Sequence, residues 1–233
     1  MFNALEVTGR TRTHIVQYES PRFAAHPAVA SAYMAMRAAA KQDGIDLMPV
    51  SSFRDYGAQS RIWEMKFKGR ATLYDIDGIP RDRTGMTEEQ TIWHILDWSA
   101  MPGASRHQWG TEIDVVDAAV MPPGYKPLLL PVEVREGGLF QRLHRWLDAH
   151  IHEFGFFRPY AKFQGGMFAE PWHLSYAPIS TLALEDLTLD ILREATQASK
   201  LSGRERVVAL LPEIFERHVR NIVPPPPECH LSR

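Results

Sequence analysis

Apolar positions along the chain alternate between two periods, and the switches between them predict the elements. From Pro27 the residues Val29, Tyr33, Met36 and Ala40 recur at helical spacing, with Pro27 suited to a first helical position and Gly44 to the turn after the last. Asp46 to Ser51 reads as a strand, and Pro49 restricts it to a sheet edge or a bulge. Residues 55–68 carry Gln59, Ile62, Trp63 and Phe67 on a helical pattern, whereas 69–86, rich in Gly, Asp and Arg, is expected to be a long loop. Thr87 with Gln90 has the form of a capping box before Ile92, Ile95 and Leu96, which predicts a helix over 88–99. Glu112-Ile113-Asp114-Val115-Val116 alternates polar and apolar side chains, as a half-buried strand does, so Glu112 and Asp114 should share one face and Ile113 and Val115 the other. The stretch 118–136 holds four prolines and fits no period. Leu139, Leu143, Trp146, Leu147, His150, Ile151 and Phe154 then form one helical stripe closed by Gly155. Phe156-Phe157 and Trp172 to Tyr176 read as strands, with a turn at Gly165-Gly166, and His14 to Tyr18 as a short one. Beyond Pro178 helix formers dominate. Leu184, Leu187, Ile191, Leu192 and Ala195 share a face, Ser202 and Glu205 suggest a cap, Pro212 should interrupt, and Pro224 to Pro227 should begin an extended tail.

This pattern predicts an α+β chain: a small, mainly antiparallel sheet with packed helices and a helical C-terminal extension. We divide it into a core over 1–179 and an extension with a proline-rich tail over 180–233. The composition is that of a globular protein, 45% hydrophobic and 23% charged among 233 residues. A net charge of −2 gives no electrostatic case for nucleic acid or an anionic membrane. Cys229 is the single cysteine, which excludes an internal disulfide and a cysteine metal cluster. The opening residues lack a basic stretch followed by an apolar one, and no apolar run reaches membrane-spanning length. A cytoplasmic location, or export by another route, is the expectation.

Candidate chemistry concentrates in two places. Met101 to Asp117 places His107 and Asp114 on either side of Gly110, and Glu170-Pro171-Trp172-His173 adds an imidazole and a second carboxylate. Two His and one Asp leave a fourth position open, as catalytic zinc requires, and a nearby Glu can take the proton of a bound water. Any one of these could be an ordinary side chain, since the chain has ten histidines. A helical His-Glu-x-x-His site is excluded, because Ala169 stands where the first His would be. His150 and His152 point about 200° apart on a helix and cannot chelate together. His26, His94 and His144 are assigned no role.

Pro102-Gly103-Ala104-Ser105-Arg106-His107, Gly110, Asp114 and Glu170-x-Trp172-His173, preceded by Ser51-Ser52-Phe53-Arg54 and Gln59, resemble the D-alanyl-D-alanine carboxypeptidases of the VanY type over roughly residues 27–178. These zinc peptidases are grouped with lysostaphin-type enzymes and the hedgehog signalling domain. The resemblance implies one zinc held by His107, Asp114 and His173, with Glu170 as general base and Arg54 stabilising the oxyanion. It also implies that Ser52, Gln59 and Ser105 help place a peptidoglycan peptide. Trp172 is expected to pack behind His173. One position departs from the family, which usually has a small residue where this chain has Glu112. A carboxylate there could hydrogen-bond a ligand, narrow the pocket or repel a substrate carboxylate.

Overall fold

The computed structural model describes residues 1–229. Helix α1 (Ala4–Val7) starts at Asn3, whose side chain and that of Glu6 cap each other's backbone. Strands β1 (Val16–Glu19) and β2 (Arg22–Ala25) form an antiparallel hairpin. Helix α2 (Pro27–Gln42) has Pro27 in its first turn, and His26 caps it by accepting from the Ala28 amide. His26 therefore has a structural task that its sequence position did not reveal. After β3 (Leu47–Ser51), Asp55 caps α3 (Tyr56–Phe67) by accepting from the Ala58 amide. The Thr87–Gln90 box starts α4 (Glu88–Leu96), which stops at Leu96 rather than reaching residue 99.

A 3-10 turn, Arg106–Trp109, leads through left-handed Gly110 into β4 (Glu112–Asp117). The proline-rich stretch contains one short helix, α5 (Pro131–Val134). The predicted stripe forms α6 (Gln141–His150) and a 3-10 turn ending at left-handed Gly155. Next come β5 (Phe156–Phe157) and β6 (His173–Tyr176), followed by α7 (Ala177–Asp186), α8 (Leu189–Gln197) and α9 (Arg204–Ile214).

Four strands in the order β3-β4-β6-β5 make an antiparallel sheet. Strand β3 lies on its edge with an irregularity between Pro49 and Ser51, the place that a residue without an amide donor demands. In register, Asp114 stands opposite both Ser51 and His173. Strand β4 is not half-buried: all six of its residues are buried. Ile113 and Val115 face a core with α2, α6 and Leu174. The other face is covered by the loops and turns of the site, so its carboxylates are polar groups in a covered setting.

A second core joins Trp63, Ile92, Ile95, Leu96, Met101, Ala104 and Trp109 to Leu187, Leu192, Val207, Leu211 and Ile214. The helices after residue 180 thus share their apolar faces with α3, α4 and the loop that leads to His107. Two local expectations are corrected here. Helix α9 continues through Pro212 and widens beyond it into a π-helical segment, Phe215–Arg220. Ser202 does not cap it, because left-handed Gly203 precedes the helix and the Ser202 amide and hydroxyl donate to Glu64. The tail is extended only as far as a short 3-10 turn, Pro227–Cys229, which buries Cys229.

Candidate metal centre

The sheet register and one loop bring the donors together. His173 and Asp114 are cross-strand partners on β6 and β4. His107 arrives on the 3-10 turn, which Gln108 anchors: its side-chain oxygen accepts the Gly103 and Ser105 amides, and its nitrogen donates to the Thr8 carbonyl. One donor atom each from His107, Asp114 and His173 lies within 4.8 Å of the others, and all three residues are buried. Among the described residues, no other His, Cys, Asp or Glu group of three has this disposition.

The protons on the two rings can be placed. His107 Nδ1 lies 2.8 Å from the Ser52 carbonyl, which can only accept, so Nδ1 carries the hydrogen and Nε2 keeps its lone pair. That lone pair points toward Asp114 Oδ2 at 3.2 Å. On the other side, His173 Nδ1 lies 3.0 Å from Asp114 Oδ1. The His107 lone pair, the Asp114 carboxylate and the second ring, gathered this closely in a buried place, suit a cation among them. The donor set of two imidazoles and one carboxylate fits a zinc-type ion with an open fourth position.

Electrostatics separate the two acids. Burial raises the Asp114 carboxyl, but His107 and His173 outweigh it and hold the group far below its usual range. Glu170 lies 3.7 Å from His173 Nδ1 and is pushed up to about 7, chiefly by burial, with Asp114 adding and His173, Arg54 and Lys66 opposing. Asp114 is built to stay ionised and Glu170 to exchange a proton near neutrality. His107 is lowered by burial and by Arg54. His173 loses by burial but gains more from Asp114 and Glu112, reaching about 10.

A cleft of about 400 Å³ opens onto these groups, and Arg54, Ser105 and Glu170 line it beside the three donors. Arg54 is partly buried, its buried Nε has no hydrogen-bond partner among the described residues, and desolvation lowers its pKa. Ser52 and Gln59 are placed differently. The Ser52 hydroxyl accepts the Ala24 amide while its carbonyl holds His107, and Gln59 donates to the Ala100 carbonyl behind the loop. Neither side chain lines the cleft. Trp172 stacks on Trp98 with ring centres 6.1 Å apart, and both residues line the cleft, so Trp172 is not simply packing behind His173 as expected.

Two cleft residues escaped the sequence reading. Lys66 lines it, donates to Ser99 Oγ at 2.7 Å, and is lowered to about 8 by burial. Its place on the helical stripe of Gln59 and Ile62, seven residues after the first, was the available signal. Tyr160 packs its ring 5.1 Å from His173, and its carbonyl accepts the Glu170 amide. Nothing in its local sequence announces this.

An ionised carboxylate between two imidazoles, with a protonatable acid beside them in a cleft, has the chemistry that suits a catalytic rather than a structural metal site. The family model for VanY, D-alanyl-D-alanine carboxypeptidase, matches residues 22–179, and the chain belongs to that family. A D-alanyl-D-alanine carboxypeptidase of Enterococcus faecalis is 26% identical over 147 residues, covering 60% of this chain and 44% of the relative. An uncharacterized protein of Haemophilus influenzae is 34% identical over 118 residues, covering 50% of this chain and 90% of its own. The fold is that of VanYB in complex with D-alanine-D-alanine, at a TM-score of 0.52 and 22% identity over 80% of this chain and 89% of that one. It is likewise that of a VanY mutant from a VanB-type resistance cassette in complex with Zn(II), at 0.51 and 20% over 86% and 88%.

Proposed function

We propose that this protein is a zinc-dependent peptidase that removes the terminal residue of peptidoglycan-type peptides ending in D-Ala-D-Ala. The observation that carries the reading is the pairing of a three-donor site with Glu170, a buried acid raised to about 7 within 3.7 Å of His173. His107 Nε2, Asp114 and His173 Nδ1 would hold the ion, which supplies an acidified water and a polarised carbonyl when bound. Glu170 takes the proton from the attacking water and passes it to the leaving amine, for which a pKa near the working pH is the best match. Arg54 offers a permanent, forked donor set as the carbonyl oxygen gains charge.

The choice of a free carboxyl terminus is supported by charge. Arg54 and Lys66 both line the cleft, and among the described residues neither has a carboxylate within ion-pair distance. A substrate ending in a carboxylate supplies the missing anion. Digestion of defined muropeptides with and without chelator, read by mass spectrometry, tests activity, metal and bond together. Loss of one alanine from a pentapeptide stem, abolished by chelator and restored by zinc, is expected. Cleavage within the stem instead would make the protein an endopeptidase, and no metal-dependent cleavage would refute the reading.

A further inference from the structure

Glu112 is the family departure noted above, and its surroundings assign it a task. It is fully buried on β4, two residues before Asp114 and therefore on the same strand face. One carboxylate oxygen, Oε1, accepts from Thr111 Oγ1 at 2.9 Å and from Ser175 Oγ at 2.8 Å. Arg106 Nη2 lies 3.3 Å from the same oxygen and donates to Ser175 Oγ at 2.7 Å. Arg106 is itself buried, with its guanidinium 4.6 Å above the Trp109 ring. The carboxylate therefore has its counter-ion and two hydroxyl donors all on one side.

The other oxygen, Oε2, is aimed at the metal donor. It lies 2.9 Å from His173 Nε2, on the edge of the ring opposite the Nδ1 that meets Asp114 at 3.0 Å. The contact is an ion-pair approach and not an aligned hydrogen bond as the ring stands, and both Oε2 and Nε2 are buried with no hydrogen-bond partner among the described residues. Each is thus the other's only relief from burial. A carboxylate can only accept, so without a cation each ring nitrogen turns a hydrogen to its carboxylate; when a cation takes the Nδ1 side, the hydrogen that remains is the one on Nε2, facing Glu112.

We propose that Glu112 is a positioning residue that holds the His173 ring with Nε2 protonated, and so presents Nδ1 to the metal. This rests on the zinc reading above. A carboxylate behind a ligating imidazole fixes its tautomer and orientation and raises its basicity, and losing such a partner typically costs about 10- to 100-fold in metal affinity. His107 has only a neutral carbonyl behind it, that of Ser52, so the two rings are supported unequally. Arg106 balances the charge of Glu112, which leaves the formal charge of the donor set unchanged.

The test is zinc affinity of the full chain, measured by competition with a chromophoric chelator. Wild type, E112Q, E112A and the double variant R106M/E112A are compared, and thermal unfolding of the chelator-treated proteins is followed in parallel. The double variant is included because E112A leaves Arg106 buried without its anion. We expect roughly 10- to 100-fold weaker zinc binding in E112A and in R106M/E112A, and a smaller loss in E112Q, whose amide oxygen still accepts from Nε2. Wild-type zinc affinity in any cooperatively folded Glu112→Ala variant would overturn the inference. The tautomer is read independently on the wild-type, zinc-loaded chain by long-range proton–nitrogen NMR of the imidazoles. A protonated Nε2 on His173 is expected, and a protonated Nδ1 would overturn the proposal even if every variant failed to fold. Wild-type protein that binds no zinc would refute the proposed function itself, a separate result from zinc-binding protein indifferent to Glu112.

Discussion

Leu192 and Gly103 provide a direct test of whether the C-terminal helices support the metal loop. Gly103 has φ +91°, and a Cβ built on it would come 3.1 Å from Leu192 Cδ1, 3.5 Å from Tyr56 Cε2 and 3.8 Å from Ala195 Cβ. Leu192 is wholly buried. Replacing it with Ala removes three buried carbons and leaves a void under the loop, at a cost of about 2–5 kcal/mol. G103A carries two penalties: about 1–2 kcal/mol for the left-handed backbone, and the displacement of Leu192. Only the second depends on Leu192. In the double variant the void admits the new methyl, so the two costs should fall short of additivity by about 0.5–1.5 kcal/mol, within the range seen for touching residues. Urea unfolding of the chelator-treated proteins measures all four corners of the cycle, free of any contribution from bound metal. Additivity within about 0.5 kcal/mol, or a cost below about 1 kcal/mol for L192A, would refute the reasoning and place the extension outside the shared core.

Other substitutions separate roles. E170Q should keep its metal and lose roughly 10²-fold or more in turnover, whereas D114N should lose metal affinity together with activity and recover part of it in excess zinc; metal analysis beside kinetics distinguishes them, and an empty site in E170Q would count against its role as base. Lys66→Met should raise KM for peptides with a free carboxyl terminus more than for the same peptides amidated, and equal effects on both would remove Lys66 from carboxylate recognition. His144 is buried beside Arg158 and held down to about 3, so the unfolded chain takes up a proton near pH 6.5 that the folded chain refuses until far lower. Stability is therefore lost as pH falls from 6.5 toward 3, by about 2 kcal/mol between pH 7 and pH 5 from this residue. His144→Leu should flatten that part of the pH–stability profile, and an unchanged slope in urea titrations would contradict it.

Legibility in the chain followed the range of the physics involved. Caps and periods act over a few residues, which is why the Thr87–Gln90 box and the stripes of α2 and α6 were read close to where they lie. The donors could be grouped because their spacing and residue types resemble one family, a pattern to which composition contributed nothing. What failed to show depends on distant partners. Strand β2 is too short to display a period and exists by pairing with β1. The alternation of β4 predicted an open face because covering loops leave no trace in local spacing. Lys66 and Tyr160 reach the cleft from elements whose patterns report only their own apolar faces. The closeness of Leu192 to Gly103 joins residues 89 positions apart, beyond the reach of any periodicity.

The opposition of Asp114 to His173 across two antiparallel strands bears on how the chain proofreads its own assembly. A slip of one residue would turn every side chain on the moving strand to the other face, and a slip of two would restore the faces while setting Glu112 against His173. Hydrophobic burial barely distinguishes that second arrangement from the native one, since apolar residues would still meet apolar residues. An ion that needs His107, Asp114 and His173 at once does distinguish it. If the site takes up its ion during folding, the metal would act as a ratchet on strand alignment, and zinc retained by a variant would report its sheet register as well as its chemistry.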